Sequence, residues 1–356
     1  MPSISAISEQ VRQRAREHGF DLAGIAGVEP YAELGAFVPW IEEKRHGEME
    51  YLASRNNDGD LTRAELKNAA PWARSVVVCA LNYNSSAPYS THAGGNREGW
   101  IARYAQGKVD YHEVLLPRLR KLEAAIARLA PQDPPFRSWC YVDTGPVMER
   151  VFAKYAGIGW IGKNTCILNE KRGSWLFLGV ILTNLVLEPD LPAPDRCGSC
   201  TRCLDACPTN AFIAPHQLDA TRCISYLTIE KGSAIPEELR PGIGRHLFGC
   251  DICQDVCPWN RRAPIGTTPE FQPKQERINP SLRALAEMDL EQYREFVRKS
   301  PIKRTKWTGF RRNLAIAIGN SGDPDLLPSA EKLASDADPV VAEHGRWAVE
   351  QLRKNL

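Results

Sequence analysis

Residues 196–208 read RCGSCTRCLDACP and residues 249–258 read GCDICQDVCP, and with Cys223 between them they hold eight of the eleven cysteines. The first run has the spacing C-x2-C-x2-C-x3-C-P of bacterial ferredoxins, in which the fourth cysteine binds the neighbouring iron–sulfur cluster. The second run repeats this pattern with one cysteine missing, and Cys223 is the obvious replacement. The sequence therefore predicts two [4Fe–4S] clusters with four cysteine ligands each.

The ligands divide into two groups, here called the first and second cysteine quartets. Three cysteines spaced by two reach one cluster, whereas the cysteine before each proline points to the other. The first quartet is Cys197, Cys200, Cys203 and Cys257, and the second is Cys207, Cys223, Cys250 and Cys253. A zinc ribbon is one alternative, but its paired C-x2-C knuckles suit neither the third cysteine nor the Cys-Pro ends. A disulfide framework is the other, and it is rare in a chain of this size without secretory features.

Composition sets broad limits on the class of protein. At 356 residues the chain has room for two or three domains, and 43% hydrophobic and 25% charged residues are ordinary for a globular protein. The net charge of +2 predicts no global attraction to polyanions, so a nucleic-acid surface must be local. No apolar run approaches the roughly 20 residues of a membrane helix. Residues 1–20 lack the segments of a signal peptide and predict an amphipathic helix, so we expect a cytoplasmic protein.

An α+β fold with three domains is predicted. Residues 1–187 form an α/β domain, with a helix at 111–129 and buried strands at 21–28, 75–83, 138–145 and 175–187. A proline-rich linker leads into a two-cluster ferredoxin-like domain at 188–262. Helical periodicity returns within 275–356, where the last three helices resemble a HEAT-type repeat. Buried structural thiols are expected at the remaining cysteines, Cys79, Cys140 and Cys166.

Two stretches of the first domain are candidates for ligand binding. The loop GIGWIGKN (157–164) has three glycines, which let a backbone approach a ligand closely. It lacks nucleotide-binding spacing, and a plain turn explains it equally well. Asp143 follows a predicted strand and precedes a helix that Pro146 is expected to start, a position typical of ligand crevices. Asp143 could equally be the N-cap of that helix.

Basic residues concentrate before the C-terminal helices. Residues 301–313, PIKRTKWTGFRRN, contain five basic residues and no acid, with Trp307 and Phe310 among them. This combination suits a bent nucleic-acid loop, because charge holds the phosphates and rings stack on the bases. A solvated helix face explains the same pattern.

Six segments, taken in order, resemble the epoxyqueuosine reductase family. They are VDTGPVMER (142–150), GWIGKNTCIL (159–168), CGSCTRCLDACPTNAF (197–212), CISYLTIEKG (223–232), GCDICQDVCPWN (249–260) and GFRRNLAIAIGN (309–320). The resemblance covers nearly the whole chain, and the joint set is far more specific than any one motif. It implies reduction of epoxyqueuosine to queuosine at the wobble position of tRNA anticodons. It also implies cobalamin, fed by the two clusters and bound by an N-terminal domain related to reductive dehalogenases.

The resemblance assigns roles by motif. Asp143 is the expected proton donor, and Tyr104 with its segment 102–112 is expected near the reacting face of the cofactor. Five residues are expected to line cobalamin: Arg63, Lys163, Asn164, Ser225 and Asp251. Another five are expected to contact tRNA: Lys231, Lys303, Arg304, Arg311 and Arg312. We expect an external low-potential electron donor and a monomeric chain.

Two other functions fit parts of the sequence. A reductive dehalogenase-like corrinoid enzyme acting on a small organic molecule would share the cofactors but leave the basic C-terminal helices unused. An electron-transfer iron–sulfur protein would hold no corrinoid in residues 1–187. Binding of anticodon stem-loop RNA and of cobalamin separates the three functions.

Overall fold

A computed structural model describes residues 3–89 and 95–354. The helices are α1 (Ile4–Glu17), α2 (Phe37–Glu42), α3 (Leu66–Ala69), α4 (Tyr111–Ala127), α5 (Glu149–Tyr155), α6 (Arg202–Asp205), α7 (Ile224–Ile229), α8 (Arg240–Ile243), α9 (Ile252–Asp255), α10 (Leu282–Glu287), α11 (Leu290–Phe296), α12 (Lys306–Gly319), α13 (Leu327–Ala334) and α14 (Pro339–Arg353). The strands are β1 (Leu22–Ala26), β2 (Ser75–Asn82), β3 (Trp100–Ile101), β4 (Ser138–Tyr141), β5 (Trp160–Ile161), β6 (Ile167–Leu168), β7 (Leu176–Thr183), β8 (Phe212–Ala214), β9 (Gln217–Leu218) and β10 (His246–Phe248). Within these described ranges, no helix is long and apolar enough to cross a membrane.

The N-terminal region is built on a four-stranded sheet of order β1-β2-β7-β4. Each predicted strand of this region is present, and the helix predicted at 111–129 is α4. All three pairings in the sheet are antiparallel, with Ser75 opposite Thr183 in the central pair. The prediction of α and β structure is confirmed. The direction of the strands was not predicted, because apolar runs reveal strands but not how they pair.

The sheet is covered on both faces. Alternate residues of β2 point to opposite sides, as strand geometry requires. Val77 and Cys79 pack with α1 and α4, whereas Val76 and Val78 pack with α5. Helix α5 can approach β1 closely because Gly24 has no side chain, and an added Cβ would lie 1.9 Å from a backbone oxygen of the helix. Asp143 follows β4 and is therefore held at one end of this rigid layer.

The segment between β4 and α5 differs from its prediction. Helix α5 begins at Glu149 with Met148 as N-cap and without a side-chain cap. A helix start at Pro146 and a capping role for Asp143 are therefore both wrong. Val147 is buried in the same core as α5, so the chain enters this core as a loop and becomes helical only at Glu149. The intervening loop carries Asp143 in the left-handed region, with φ 60°.

The cluster region and the C-terminal helices share one hydrophobic core. Leu227, Leu247 and Phe248 pack with residues of α10 and α12 in this core. Strand β3 pairs in parallel with β10, which joins the first half of the chain to the same layer. Helices α12, α13 and α14 stack at the C-terminal end. The predicted boundaries at 188–262 and 275–356, and the HEAT-type repeat, remain predictions.

Candidate functional site

The structure brings the members of the first quartet together around one cavity. Cys197, Cys200, Cys203 and Cys257 line it with Leu168 and Trp259. Burial, followed by the nearby thiols of Cys203 and Cys197, raises the pKa of Cys257 to about 11. Four thiols around an otherwise apolar cavity are the donor set of a [4Fe–4S] cluster, so these residues fit the predicted group.

The second quartet forms a separate group. Burial is the main cause that raises the pKa of Cys250, and the thiols of Cys223 and Cys207 raise it further. Cys253 has Cys250 and Cys223 among its electrostatic neighbours. The helices α6 and α9 pack together, and each carries one cysteine of its run. These thiols are therefore neighbours in the structure, and the division of the eight cysteines into two sets of cluster ligands stays a prediction.

The remaining cysteines fall into two kinds. All eleven cysteines are free, so the disulfide alternative is wrong. Cys79 and Cys140 are buried in the core beside the sheet, as expected. Cys166 differs, because its thiol lies beside that of Cys253 in the second quartet, and each affects the pKa of the other. The sequence contained no signal for this contact, since Cys166 is far from the cysteine runs in the chain.

The glycine-containing loop at 157–164 forms most of a β-hairpin made of β5 and β6. At its tip, the Lys163 ammonium donates hydrogen bonds to the backbone oxygens of Gly198 and Cys200, at 2.7 and 2.9 Å. The Asn164 amide donates to the backbone oxygen of Cys253 at 3.2 Å. The hairpin tip therefore links the loops that carry both quartets. The structure places Lys163 and Asn164 beside the clusters, and their predicted contact with cobalamin stays a prediction.

Asp143 borders a second cavity of about 210 Å³, here called the Asp143 cavity. The other lining residues are Tyr83, Tyr104, Tyr111, Glu149, Arg150, Leu176, Phe177 and Leu178. Asp143 is exposed, and its Oδ2 accepts a hydrogen bond from the Tyr111 hydroxyl at 2.8 Å. Tyr111 in turn stacks on Phe177, with ring centres 4.4 Å apart. A left-handed backbone and a fixed hydroxyl partner together hold this carboxyl in one orientation, as is common at functional sites.

Glu149 is the lining residue that sequence reasoning missed. Its Oε1 atom is buried and has no hydrogen-bond partner among the residues that the structure describes. Burial is the main cause that raises the pKa of Glu149 to about 7, and the neighbouring Asp143 raises it further. A buried acid with a strongly shifted pKa in a cavity is typical of functional sites. In the sequence, Glu149 looked only like an ordinary charged residue at the start of a helix.

The other predicted cofactor residues lie around this cavity and the second quartet. Arg63 donates to the backbone oxygen of Gly145 at 3.3 Å, in the loop that carries Asp143. Ser225 is hydrogen-bonded to the Cys223 thiol. Asp251 is buried, and its Oδ2 accepts from the backbone N–H of Arg103 at 2.6 Å. None of these three residues is among those that line the Asp143 cavity, and their contact with cobalamin stays a prediction.

The wall of the Asp143 cavity fits a flat apolar cofactor. Tyr111 and Phe177 present a stacked aromatic surface, and Tyr104 lies beside them. Tyr104 is partly buried, and its electrostatic neighbours include both Asp143 and Asp251. Since Asp251 follows Cys250 directly, the cavity lies next to the second quartet. The residues thus fit a redox cofactor between that quartet and Asp143, and Tyr104 lines the site as expected.

The predicted tRNA contacts differ in exposure. The side chains of Lys303 and Arg304 are 58% and 48% exposed. Lys303 lies 3.1 Å from Asp110, and Arg304 lies 2.6 Å from Glu230. In both pairs the cation is the exposed partner, whereas Asp110 is 4% and Glu230 is 21% exposed. Two further candidates are mostly buried in ion pairs, Lys231 with Glu48 and Arg311 with Asp336.

Arg312 does not fit its prediction. The residue is 0% exposed, and its guanidinium donates to the backbone oxygens of Leu227, Lys231 and Ser233. The prediction that Arg312 contacts tRNA is therefore wrong, because its donors are buried and already paired. A basic residue in a basic segment looks exposed in sequence, whereas here it satisfies carbonyl groups at the end of a helix.

An aromatic residue outside the predicted set lies near the Asp143 loop. Tyr51 is exposed, and the guanidinium groups of Arg63 and Arg304 each lie 5.8 Å from its ring centre. Asp143 is also among its electrostatic neighbours. An exposed ring between two cations is suited to stack on a nucleic-acid base.

Comparison with known proteins gives consistent matches over the chain. A family described as "4Fe-4S double cluster binding domain" matches residues 196–260, and one described as "Epoxyqueuosine reductase QueG, DUF1730" matches residues 63–144. The epoxyqueuosine reductase of Xanthomonas campestris pv. campestris is 38% identical over 355 residues, covering 98% of this chain and 97% of the relative. That of Escherichia coli K12 is 35% identical, covering 98% of this chain and 90% of the relative.

Solved structures give the same result. An epoxyqueuosine reductase crystallised with an epoxyqueuosine-modified tRNA-Tyr stem loop has a TM-score of 0.77 and 31% identity, covering 99% of this chain and all of the other. The Bacillus subtilis enzyme, with an aspartate-bearing catalytic loop swung out of its active site, has a TM-score of 0.76 and 30% identity, covering 98% of this chain and all of the other. A reductive dehalogenase reaches only 0.46 at 19% identity, covering 88% of this chain and 38% of the other, so the predicted relation to that fold stays a prediction.

Proposed function

The chain belongs to the epoxyqueuosine reductase family, and on that premise we propose that it reduces epoxyqueuosine to queuosine in the anticodon of tRNA. The observation that carries this proposal is the position of the Asp143 cavity beside the second quartet. The cavity combines an acid with aromatic walls and is close to the region that matches the double-cluster family. An electron-transfer protein would need no such cavity.

The predicted residues would hold the cofactors as follows. The two quartets bind one [4Fe–4S] cluster each, and the hairpin tip at Lys163 and Asn164 keeps their loops in register. The aromatic residues of the Asp143 cavity, together with Arg63, Ser225 and Asp251, would hold cobalamin. When bound, these groups supply the electrons that the epoxide needs, and the polypeptide supplies orientation and protons.

Asp143 gives a proton to the oxygen that leaves the epoxide. The Tyr111 hydroxyl bonds to Oδ2, which leaves Oδ1 free to face the substrate. The neighbouring rings of Tyr104 and Tyr111 line the same cavity as Asp143. Proton transfer from a positioned acid contributes about 10²–10⁴-fold to a rate.

The modified base reaches the cavity only when it is extruded from the anticodon loop. We place Lys303 and Arg304 against phosphates on either side of that base, because these side chains are the exposed members of the predicted set. Tyr51 lies between Arg304 and the Asp143 loop, where it would stack on a neighbouring base. Lys231 and Arg311 are partly covered, and their tRNA contact would require their ion pairs to open.

Anaerobic turnover of an epoxyqueuosine-containing anticodon stem loop tests the proposal. The reconstituted chain with a low-potential reductant is expected to convert the nucleoside to one that has lost a single oxygen, read by mass spectrometry. The matched variant Asp143→Asn is expected to keep its iron and bind cobalamin but lose at least about 100-fold in rate. Absence of conversion, together with dehalogenation of a small aryl halide, would favour the corrinoid dehalogenase alternative.

The remaining partners follow from this function. Epoxide reduction consumes electrons, so an external low-potential donor is required. We propose the cytoplasm as location, because oxygen-labile clusters and free thiols persist there. We also propose a monomer as the active form.

A further inference from the structure

We propose that Glu149 is a second acid of the Asp143 cavity and holds the second proton that the reaction consumes. The proposal rests on the proposed function and adds a residue to it. Converting an epoxide to an alkene breaks two C–O bonds and forms one C=C bond. With two electrons from the external donor, two protons are needed for the oxygen to leave as water. Asp143 carries one proton, so a second source must lie within reach of the same oxygen.

The geometry favours Glu149 as that source. Glu149 and Asp143 line the same cavity, one at the start of α5 and the other on the loop before it. The Oε1 atom of Glu149 is buried without a partner in the described part of the chain. Burial of this group disfavours the charge of a carboxylate, so a carboxylic acid can retain its proton there.

The charges around Glu149 act in both directions. Asp143 favours the protonated form of Glu149, whereas Arg150 and Arg63 favour the ionised form, as does the backbone N–H of Glu149 itself. Burial dominates and raises the pKa of Glu149 to about 7, so the group exchanges protons near neutral pH. When two carboxyl groups share a cavity but have different environments, they commonly take different roles in proton transfer.

The tyrosines of the cavity do not compete for this role. Burial is the main cause that raises the pKa of Tyr83, Tyr104 and Tyr111 far above the ordinary value. They therefore keep their protons at neutral pH and serve as walls and hydrogen-bond donors. Besides Asp143, Glu149 is the lining carboxyl group that can both lose and regain a proton.

The first test is the pH dependence of single-turnover rates for Glu149→Gln. Glutamine keeps the size and polarity but carries no transferable proton. The parent rate is expected to fall as the pH rises through about 7, and the variant rate is expected to be about tenfold lower with this pH dependence lost. The control Glu291→Gln changes an exposed glutamate in the first turn of α11 and should behave as the parent. A variant with the parental pH profile, or with a raised KM and unchanged kcat, would overturn the proposal.

The second test needs no turnover. Infrared difference spectra of the reconstituted protein without substrate should show a protonated carboxyl that titrates near pH 7 in the parent and in the Glu291 control. If Glu149→Gln lacks this signal, the signal belongs to Glu149. If the parent protein shows no such signal, the proposal is overturned, even when the variant does not fold. If the parent shows the signal but reduces no epoxyqueuosine, the proposed function fails instead, and the assigned proton has no role in it.

Discussion

Replacing Arg312 with methionine should destabilise the protein without weakening its affinity for RNA. The guanidinium donates hydrogen bonds of 2.6 Å to Leu227, 2.6 Å to Lys231 and 2.8 Å to Ser233, all to backbone oxygens. Burial lowers the pKa of Arg312 to about 10, so the group is still charged at neutral pH. These hydrogen bonds connect α12 to α7 and to the segment that follows it.

The magnitude follows from the groups left without partners. A buried carbonyl without a hydrogen bond costs about 1–3 kcal/mol. Methionine fills much of the space but donates nothing, so three carbonyls lose a charged donor. We expect a loss of about 3–5 kcal/mol in the free energy of unfolding. For a chain of this size about 2 °C corresponds to 1 kcal/mol, so the Tm should fall by roughly 6–10 °C.

The assay compares Tm and stem-loop affinity in the same anaerobic preparations. Lys306→Met, an exposed basic residue at the start of α12, is the control and should leave Tm within about 2 °C of the parent. The folded Arg312 variant should bind the stem loop with the parental dependence on salt. A parental Tm combined with a weaker, less salt-dependent affinity would refute the structural role and restore the RNA contact.

Three further predictions concern the rest of the site. In the double variant Lys303→Ala and Arg304→Ala, the slope of log binding constant against log salt concentration should be smaller in magnitude by about 1.4, or about 0.7 per lost phosphate contact. The slope is measured by titration with the stem loop, and an unchanged slope would mean that these residues do not contact RNA. Cys223→Ser should lose the iron of one cluster and keep that of the other in metal analysis, whereas full iron would remove Cys223 from the second quartet. Burial raises the pKa of Glu48, but hydrogen bonds led by that from Ser233 outweigh it and lower the pKa to about 2. The stability that ionised Glu48 adds is therefore present above pH 4.5 and lost as the pH falls towards 2. The urea unfolding midpoints of Glu48→Gln and the parent should differ at pH 7 and converge in acid. A difference that does not change with pH would contradict this.

The cysteine quartets could be predicted because most ligands of a cluster lie close together in the sequence. Spacing within each run fixes which thiols can face one cluster, and Cys223 was needed to complete the count. The structure places thiols of the same quartet near one another. The strands were also visible, since each is a short apolar run with turn residues around it.

Other features depend on long-range packing and leave no local pattern. The relative direction of β2 and β7 is set by packing across the whole layer, so the sequence left it open, and the structure shows the pair to be antiparallel. Arg312 and Glu149 carry charges that sequence reasoning places in solvent, yet the fold buries the first among carbonyls and the second in a cavity. A buried charge of this kind becomes visible only when the groups around it are known.

The most direct test of the account is the reoxidation of the clusters by substrate. The chain is reduced anaerobically, excess reductant is removed, and the epoxyqueuosine stem loop is added while the cluster absorption is followed. The account predicts that the absorption of the oxidised clusters returns with this substrate and does not return with the same stem loop carrying queuosine. Clusters that stay reduced with both RNAs would contradict the claim that the quartets deliver electrons to the Asp143 cavity.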